Sequence, residues 1–346
     1  MKHIFGPVNS RRLGRSLGVD LFREKVCTLN CIYCEVGATT RLTCRRAAYA
    51  PTAGILAEID SYCQDQDRVA ELDFITVTAS GEPTLHSDFG KIIDYLKENT
   101  AKPVAVLTNG TTLYDPVVRQ ETAAADVVIP SLDSALPTGF RKIDRPARCV
   151  DLHQVIEGLI SFSHEYTGKL WLEILFARGI NDSEEEVLAL RRAAGQMRLD
   201  RIQLNTVARP PLEAFARPLT REEMTAIARQ FEQDDPSRPV DVLACKAAQE
   251  DEPEKVKPAK FFFNLDRDAD RQAFIAEVTE MLQRRPCTAA DINRTFHLGG
   301  ADKVEQLLDT LVRDGCIQQR FHDDSVYYQT ARITGQAVRH PVPERD

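Results

Sequence analysis

The chain has 346 residues, of which 43% are hydrophobic and 28% are charged, as is ordinary for a globular protein. Its formal net charge of −8 at pH 7 argues against nucleic-acid binding through overall charge. No apolar run approaches the roughly 20 residues of a membrane-spanning helix, and the opening MKHIFGPVNSRR lacks the apolar core of a signal peptide. We therefore expect a cytoplasmic protein without membrane contact, in which disulfides are rare.

The charge is distributed unevenly along the chain. Residues 1–50 carry nine basic and three acidic side chains, a net charge of +6, so the remainder carries −14. Two interpretations of this basic segment stay open. It forms a solvated surface, or it forms a site that attracts an anionic substrate.

From about residue 16 to 206, β-branched runs alternate with helical patterns. The strand-like runs are SLGVDLF, LDFITVTA, PVAVLTNG, DVVIPSLD, KLWLEILF and RIQLNTV. Helical patterns include AGILAEIDSYC, DFGKIIDYLKEN and DLHQVIEGLISFSHEY, and two later helices begin at capping boxes, Ser183 with Glu186 and Thr220 with Glu223. Six βα units predict an α/β fold with a parallel sheet, either an open barrel or a doubly wound sheet. Ligands bind such folds at the carboxyl ends of the strands.

Three cysteines stand within eight residues of the loop after the first strand, in KVCTLNCIYCE (residues 25–35). Thiolates select zinc, copper(I) or iron–sulfur clusters. Structural zinc usually takes two pairs of ligands, and no second pair lies nearby. Three thiolates on a cluster of four irons leave one iron open to a substrate or cofactor. We therefore predict Cys27, Cys31 and Cys34 as cluster ligands rather than three buried thiols.

The loop CTLNCIYC, with Tyr33 as its aromatic residue, resembles the hallmark of the radical S-adenosylmethionine (radical SAM) superfamily. Further motifs follow in order at strand ends: SGEP, TNGT, SLD, EILFARGIND and QLNT. The resemblance covers about residues 4–245. It implies a partial (β/α)6 TIM-like barrel that binds a 4Fe–4S cluster and S-adenosylmethionine. A one-electron donor such as flavodoxin or ferredoxin would reduce the cluster. The cofactor would then be cleaved to methionine and a 5′-deoxyadenosyl radical, which abstracts a substrate hydrogen.

The resemblance also implies which residues contact S-adenosylmethionine. SGEP (residues 80–83) would hold its amino group, and Tyr33 would lie near its adenine. The full set of implied contacts is Tyr33, Ser80, Gly81, Glu82, Pro83, Asn109, Ser131, Asp133, Glu173 and Asn205. Local alternatives remain: Glu82 as a helix cap, Asn109 as the residue of an Asn-Gly turn, and Ser131 and Asp133 as plain strand ends.

Other candidate positions have structural interpretations. Asp182 is predicted to cap a helix. Cys44, ten residues after Cys34, is either unreactive or a second reactive thiol. The remaining cysteines lie far apart and are interpreted as small buried hydrophobic residues: Cys63, Cys149, Cys245, Cys287 and Cys316.

Within the superfamily, FGPVNSRRLGRSLGVDL resembles the start of the bacterial wyosine-synthase-like, tRNA-modifying branch. Wyosine synthases proper carry a second cluster on cysteines that precede the radical SAM loop. No cysteine precedes Cys27 here, which argues against wyosine synthesis itself. The resemblance still implies radical chemistry on a tRNA base.

The composition changes after the barrel, which we bound at residues 1–245. Residues 246–268 form a charged linker, residues 269–332 a winged-helix domain of three helices and a hairpin, and residues 333–346 a flexible tail. The presumed recognition helix is mostly acidic and would repel phosphates, so a role in protein docking or substrate presentation stands beside nucleic-acid binding. Its charged residues are Asp302, Lys303, Glu305, Asp309, Arg313 and Asp314.

The sequence therefore predicts a two-domain radical SAM enzyme. Its substrate is a tRNA base or, alternatively, a protein or peptide docked by the winged helix. A third hypothesis is an iron–sulfur sensor without turnover.

Overall fold

The structure is a computed structural model that describes residues 1–10, 12–243, 263, 267–296, 298–322 and 325–330. The predictions for Cys245, for most of the linker and for the tail lie outside the described residues. No described helix is long and apolar enough to cross a membrane.

Strands and helices alternate through the first 242 residues. The strands are β1 (Ile4–Ser10), β2 (Gly14–Asp20), β3 (Val26–Cys27), β4 (Arg41–Leu42), β5 (Phe74–Thr78), β6 (Val104–Thr108), β7 (Val127–Pro130), β8 (Lys169–Phe176), β9 (Arg201–Thr206), β10 (Val240–Val242), β11 (Ile317–His322) and β12 (Ser325–Thr330). The helices are α1 (Thr52–Cys63), α2 (Gln66–Ala70), α3 (Phe89–Asn99), α4 (Pro116–Thr122), α5 (Pro137–Ile143), α6 (Leu152–Glu165), α7 (Glu184–Ala194), α8 (Arg221–Asp234), α9 (Asp268–Arg284), α10 (Ala289–Phe296) and α11 (Ala301–Arg313). A 3₁₀ turn spans Pro83–Leu85.

The central sheet has eight strands in the order β1-β2-β5-β6-β7-β8-β9-β10. All neighbouring pairs are parallel except β1 with β2. The six predicted parallel strands are therefore confirmed, and the fold is a mixed α/β structure of the partial-barrel kind. The sequence prediction missed β1, β3, β4, β10, α2, α4 and α5, because each is too short or too irregular to show a clear hydrophobic period.

Successive side chains of β8 point alternately into the barrel interior and toward the outer layer of helices. Leu172 and Ile174 are fully buried in the main hydrophobic core, whereas Glu173 bonds to groups inside the barrel. This is the expected two-residue period of a strand. At the opposite end of the strands, Leu13 packs with Ala105 and Ile129 and closes the barrel base.

The helix caps were predicted in part. Thr220 and Glu223 form the complete capping box. Ser183 accepts a hydrogen bond from the Glu186 backbone, but the Glu186 side chain accepts one from Ser134 instead of closing a box. The prediction for Asp182 is wrong, because Ser183 is the N-cap and Asp182 accepts a hydrogen bond from the Gly179 backbone.

The C-terminal unit, residues 268–330, contains α9, α10, α11 and the antiparallel β11–β12 hairpin. It has its own hydrophobic core, in which Phe263, Phe274 and Phe296 pack edge to face. The helix α9 begins at Asp268, inside the predicted linker. Three helices and a hairpin were expected here, and the winged-helix interpretation stays a prediction.

The C-terminal unit contacts the barrel near both edges of the sheet. Val8 of β1 belongs to its hydrophobic core, and Asn9 Nδ2 donates to Arg294 O at 2.8 Å. At the other side, Tyr327 Oη donates to Ala208 O at 2.8 Å, just after β9. The unit therefore spans from β1 to the segment that follows β9.

The interpretation of several cysteines needs correction. Cys44 and Cys149 form a disulfide, with 6.3 Å between their Cα atoms, although disulfides were expected to be rare and Cys149 to be a buried thiol. The loops that follow β2 and β7 meet at one end of the sheet, and this brings the two residues together. Cys287 is buried as predicted, Cys63 is half-buried, and Cys316 is exposed, contrary to the prediction.

Candidate functional site

The three clustered cysteines lie at the carboxyl end of β2, in the cysteine loop (residues 27–34). The short pairing of β3 with β4 holds one side of this loop. On the other side, the Ile32 N–H donates to Ile143 O and the Asn30 N–H to Asp144 O, each at 2.9 Å. The segment after β7 thus fixes the loop at the strand ends, where ligands bind parallel α/β folds.

Hydrogen-bond donors surround two of the three sulfur atoms. Cys27 Sγ accepts from the Leu29 N–H at 3.4 Å and from Asn109 Nδ2 at 3.5 Å. Cys34 Sγ accepts from Lys25 Nζ at 2.9 Å. Such donors favour sulfur in its anionic form and tune the potential of a cluster bound to it.

Without a metal, the thiols of Cys27 and Cys31 would keep their protons. Burial raises the pKa of Cys27 to about 12, and burial together with nearby Asp144 raises the pKa of Cys31 well above its ordinary value. Metal ligation would therefore release protons from this loop. Among the described residues, no three His, Cys, Asp or Glu side chains are grouped closely enough to hold one metal ion.

Glu82 is buried beside the cysteine loop and is only 1% exposed. Its carboxylate accepts hydrogen bonds from Thr84 Oγ1 at 2.7 Å, Thr108 Oγ1 at 2.6 Å and the Asn109 N–H at 2.7 Å. Burial raises the pKa of Glu82, and these hydrogen bonds act in the opposite direction. The Glu82 side chain also caps the 3₁₀ turn that follows, as the helix-cap alternative predicted. Glu82 therefore caps this turn and also lies beside the cysteine loop.

The SGEP motif (residues 80–83) packs directly on the strand that leads into the cysteine loop. The Glu82 N–H donates to Val26 O at 2.9 Å. A Cβ atom on Gly81 would lie 1.8 Å from Val26 O, so this position requires glycine. Asp20 holds the other end of the motif, because its carboxylate accepts from the Ser80 N–H at 3.0 Å and from Ser80 Oγ at 2.6 Å.

Asn109 has the turn role that its sequence allowed, and its side chain also contacts the cysteine loop. Its Oδ1 accepts from the Thr111 N–H at 3.0 Å within the turn, where Gly110 adopts a φ of 73°. Its Nδ2 reaches the cysteine loop, donating to Thr28 Oγ1 at 2.9 Å.

A buried group of acids lies beneath Tyr33. The Tyr33 hydroxyl donates to Asp133, whose other oxygen accepts from the Leu175 N–H at 2.7 Å. Burial raises the pKa of Asp133, and burial together with Asp133 raises the pKa of Asp144 well above its usual range. A small cavity joins these groups to predicted site residues. Its lining includes Leu29, Tyr33, Asn109, Ser131, Asp133 and Asp144.

Glu173 lies deeper in the barrel. It forms an ion pair with Arg12 and accepts from Asn205 Nδ2 at 2.9 Å. Ser131 pairs with Glu173 through a backbone bridge. The structure thus gathers the predicted site residues into two neighbouring groups, one around the cysteine loop and one inside the barrel.

Sequence reasoning missed four side chains that support the site. Asp144 contacts Cys31, with 3.3 Å between Sγ and Oδ1, from a position 113 residues further along the chain. Lys25, Asp20 and Arg12 stand near the cysteine loop in sequence. Lys25 contacts Cys34 of the loop itself, whereas the partners of Asp20 and Arg12, Ser80 and Glu173, are distant in the sequence. Only Lys25, two residues before Cys27, had a local signal as a basic residue beside a thiol.

Comparisons with known proteins agree with this geometry. A model of the Radical SAM superfamily matches residues 25–191. A UPF0026 protein of Synechocystis sp. is 36% identical over 224 residues, which cover 63% of this chain and 78% of that protein. The GTPase Obg of Brachyspira hyodysenteriae is 38% identical over 231 residues, or 67% of this chain, but the match spans only 34% of that protein.

A solved structure shows the same fold. It is a radical SAM methyltransferase from Sphaerobacter thermophilus, 17% identical, matched over 66% of each chain with a TM-score of 0.52. The fold and the site define a radical SAM enzyme. The chain therefore belongs to the radical SAM superfamily and to the UPF0026 proteins. The superfamily's cofactors are a 4Fe–4S cluster and S-adenosylmethionine.

Proposed function

We propose that this radical SAM enzyme modifies a tRNA base, with Cys27, Cys31 and Cys34 as the ligands of its 4Fe–4S cluster. The donors that surround two of the three sulfur atoms fit anionic ligands of such a cluster. When bound and reduced, the cluster supplies the electron that cleaves S-adenosylmethionine to methionine and a 5′-deoxyadenosyl radical. The protein holds and orients the reactants and excludes water.

The chain's own residues then have distinct tasks. The SGEP motif, residues 80–83, binds the amino group of S-adenosylmethionine, and Glu82 supplies the negative charge. Tyr33 lies against the adenine. The remaining cofactor contacts come from Asn109, Ser131, Asp133, Glu173 and Asn205.

The basic loops around the mouth of the barrel carry the proposal of an RNA substrate. Several exposed basic side chains lie on segments that follow β2, β7 and β9: Arg41, Arg45, Arg141, Lys142, Arg148 and Arg217. Phe215 is 53% exposed, and the Arg145 guanidinium lies 6.0 Å from its ring. Exposed aromatic rings beside arginine are surfaces on which unpaired bases stack.

The arginines near the N-terminus contribute less than the sequence suggested. Arg12 forms its ion pair with Glu173 inside the barrel, Arg15 pairs with Glu71, and Arg46 pairs with Glu121. Arg41 and Arg45 remain exposed, Arg41 with a long contact of 3.4 Å to Glu24. These two are the phosphate contacts that we expect from this segment.

A salt titration tests the RNA proposal. Each phosphate contact contributes roughly 0.7–0.9 to the slope of log affinity against log salt concentration. Arg41→Ala with Arg45→Ala should flatten the slope for tRNA, whereas Lys303→Ala with Arg313→Ala, two exposed basic residues of α11, should not. Undetectable binding to bulk tRNA at low salt would overturn the proposal.

The exposed acidic face of α11 favours a second candidate, a protein or peptide substrate with basic residues. Asp302, Glu305 and Asp309 are exposed on this helix. Anaerobic pull-down followed by mass spectrometry of bound RNA and protein separates the two candidates. Formation of 5′-deoxyadenosine with S-adenosylmethionine and dithionite excludes the third hypothesis, a sensor without turnover. The electron donor, flavodoxin or ferredoxin, and the cytoplasmic location stay predictions.

A further inference from the structure

An arginine of the C-terminal unit reaches a buried acid of the barrel. Arg284 stands at the end of α9, and its Nε lies 3.1 Å from Asp20 Oδ2. The two side chains are only 10% and 2% exposed. Removing a carboxylate this far from water is costly unless a cation and hydrogen bonds compensate.

Arg284 is itself held in place from several directions. Its Nη1 donates to Glu280 O and Oε2, both at 2.8 Å, and its Nη2 donates to Lys2 O at 2.7 Å. Its guanidinium lies 4.7 Å from the centre of the Phe5 ring. Because all these contacts hold the planar group, the position of the charge is well defined.

The other side of Asp20 faces the SGEP motif. One oxygen of Asp20 accepts from the Ser80 N–H, and the other accepts both from Ser80 Oγ and from Arg284 Nε. The next two residues of the motif pack on Val26, directly before Cys27. A continuous line of contacts thus runs from α9 through Asp20 to Ser80.

A second ion pair connects the C-terminal unit to the far end of the cysteine loop. Arg209 lies between Glu35, at 3.2 Å, and Asp291 of α10, at 3.8 Å. Glu35 directly follows Cys34. The unit is therefore joined by charged contacts to both segments that surround the cofactor site.

We propose that Arg284 is a positioning residue for S-adenosylmethionine, acting through Asp20 on Ser80, so that the docked C-terminal unit forms part of the cofactor site. The proposal rests on the assignment of residues 80–83 to this cofactor. It gives the C-terminal unit a role in every turnover, whichever substrate the enzyme takes. A substrate that shifts the unit would also alter cofactor binding.

The test uses the full chain with its cluster reconstituted anaerobically. Binding of S-adenosylmethionine is measured by calorimetry, together with iron content and the unfolding temperature. Arg284→Ala should weaken cofactor binding about tenfold, as the loss of a charge-assisted contact does, with iron content unchanged. Arg284→Lys should restore most of the affinity because it keeps the charge.

Glu277→Gln is the matched control. Glu277 lies on the same helix and pairs with Arg68 of α2 at 3.8 Å, so it joins the two units away from the SGEP motif. This variant should bind the cofactor as the wild type does. In a double-mutant cycle, Ser80→Ala combined with Arg284→Ala should weaken binding by less than the product of the two single effects.

The possible failures are distinguishable. Wild-type cofactor affinity in Arg284→Ala, with weakened binding in Ser80→Ala, would overturn the positioning role and keep the motif assignment. Unchanged affinity in both Ser80→Ala and Glu82→Ala would overturn the motif assignment itself. A joint loss of iron and cofactor binding in Arg284→Ala would show general damage and also contradict the proposal. If Arg284→Ala does not fold, Arg284→Gln replaces it, because this variant also removes the charge. Wild-type cofactor affinity in Arg284→Gln, with weakened binding in Ser80→Ala, would then overturn the positioning role.

Discussion

The cofactor end of the barrel and the C-terminal unit differ in what they bury. The barrel end buries the carboxyl groups of Glu82, Asp133 and Asp144, each 1–3% exposed. The core of the C-terminal unit consists of hydrophobic residues such as Phe274, Val278 and Leu308, all fully buried. Buried acids cost free energy that apolar side chains do not, so they mark the region that handles charged ligands. We therefore expect substitutions at the barrel end to affect ligand binding, and substitutions in the core of the C-terminal unit to affect stability and docking.

The largest expected effect is loss of the iron–sulfur cluster at the barrel end. Replacing Cys27, Cys31 and Cys34 with Ala should remove the cluster completely, from about four irons and four sulfides per chain to none. Iron and sulfide analysis and the visible absorption measure this loss. Cys287→Ala, which changes a buried thiol of the C-terminal unit, is the control and should keep the full iron content. A complete cluster in the triple variant would refute the ligand assignment.

The disulfide-bonded pair Cys44 and Cys149 provides a further test of which cysteines bind iron. Changing both residues to Ser should leave the iron content unchanged, because neither belongs to the cysteine loop. A drop in iron would instead reveal an auxiliary site on these two residues.

The stability of the C-terminal unit should depend on its apolar core. Phe274→Ala removes a fully buried ring that packs against Phe263 and Phe296, and should lower the free energy of unfolding by about 3–5 kcal/mol. Denaturant unfolding measures the change. Phe321→Ala is the control, because that ring is 79% exposed, and its effect should stay within about 0.5 kcal/mol. Equal effects of the two variants would mean that the packed core does not stabilise the unit.

Glu82 should affect the cofactor and not the cluster. Glu82→Ala should weaken S-adenosylmethionine binding by about tenfold to a hundredfold, since a hydrogen bond to a charged group contributes roughly 1.5–3 kcal/mol. Calorimetry on the iron-loaded variant shows the change, with Glu185→Ala, an exposed acid of α7, as the control. Unchanged affinity would leave Glu82 with its helix-capping role alone.

The smallest expected effect concerns the exposed ion pair between Arg68 of the barrel and Glu277 of the C-terminal unit. The Arg68 and Glu277 side chains are each about a third exposed, so solvent weakens their attraction. Glu277→Gln should therefore change the free energy of unfolding by less than about 1 kcal/mol. A loss as large as that of Phe274→Ala would show that this pair, rather than the buried contacts, secures the docking.

Much of the fold followed from local patterns. The six parallel strands and the helices α1, α3, α6, α7 and α8 have clear hydrophobic periods or caps, and the structure contains all of them. The elements β1, β3, β4, β10, α2, α4 and α5 were missed. Pairing and packing with neighbouring elements stabilise them: β1 pairs with the next strand, β2, and β10 pairs with β9 beyond the intervening helix α8.

The site was predictable where its chemistry is local. Cys27, Cys31 and Cys34 stand within eight residues of one loop, so the sequence alone allowed us to recognise them together as candidate cluster ligands. Glu82 and Asn109 could be located because each stands where a predicted strand ends. Only the observed hydrogen bonds show that they also act as cap and turn residues and that Asn109 contacts the cysteine loop.

The sequence by itself determined the superfamily, the cysteine loop and the order of the barrel strands. The tertiary structure alone decided that Asp144 contacts Cys31, that Cys44 pairs with Cys149, and that Arg284 holds Asp20. These contacts join residues separated by 113, 105 and 264 positions. The reason is physical: periodicity and spacing act over a few residues, whereas contacts between distant segments arise only when the packed barrel and the docked C-terminal unit bring them together.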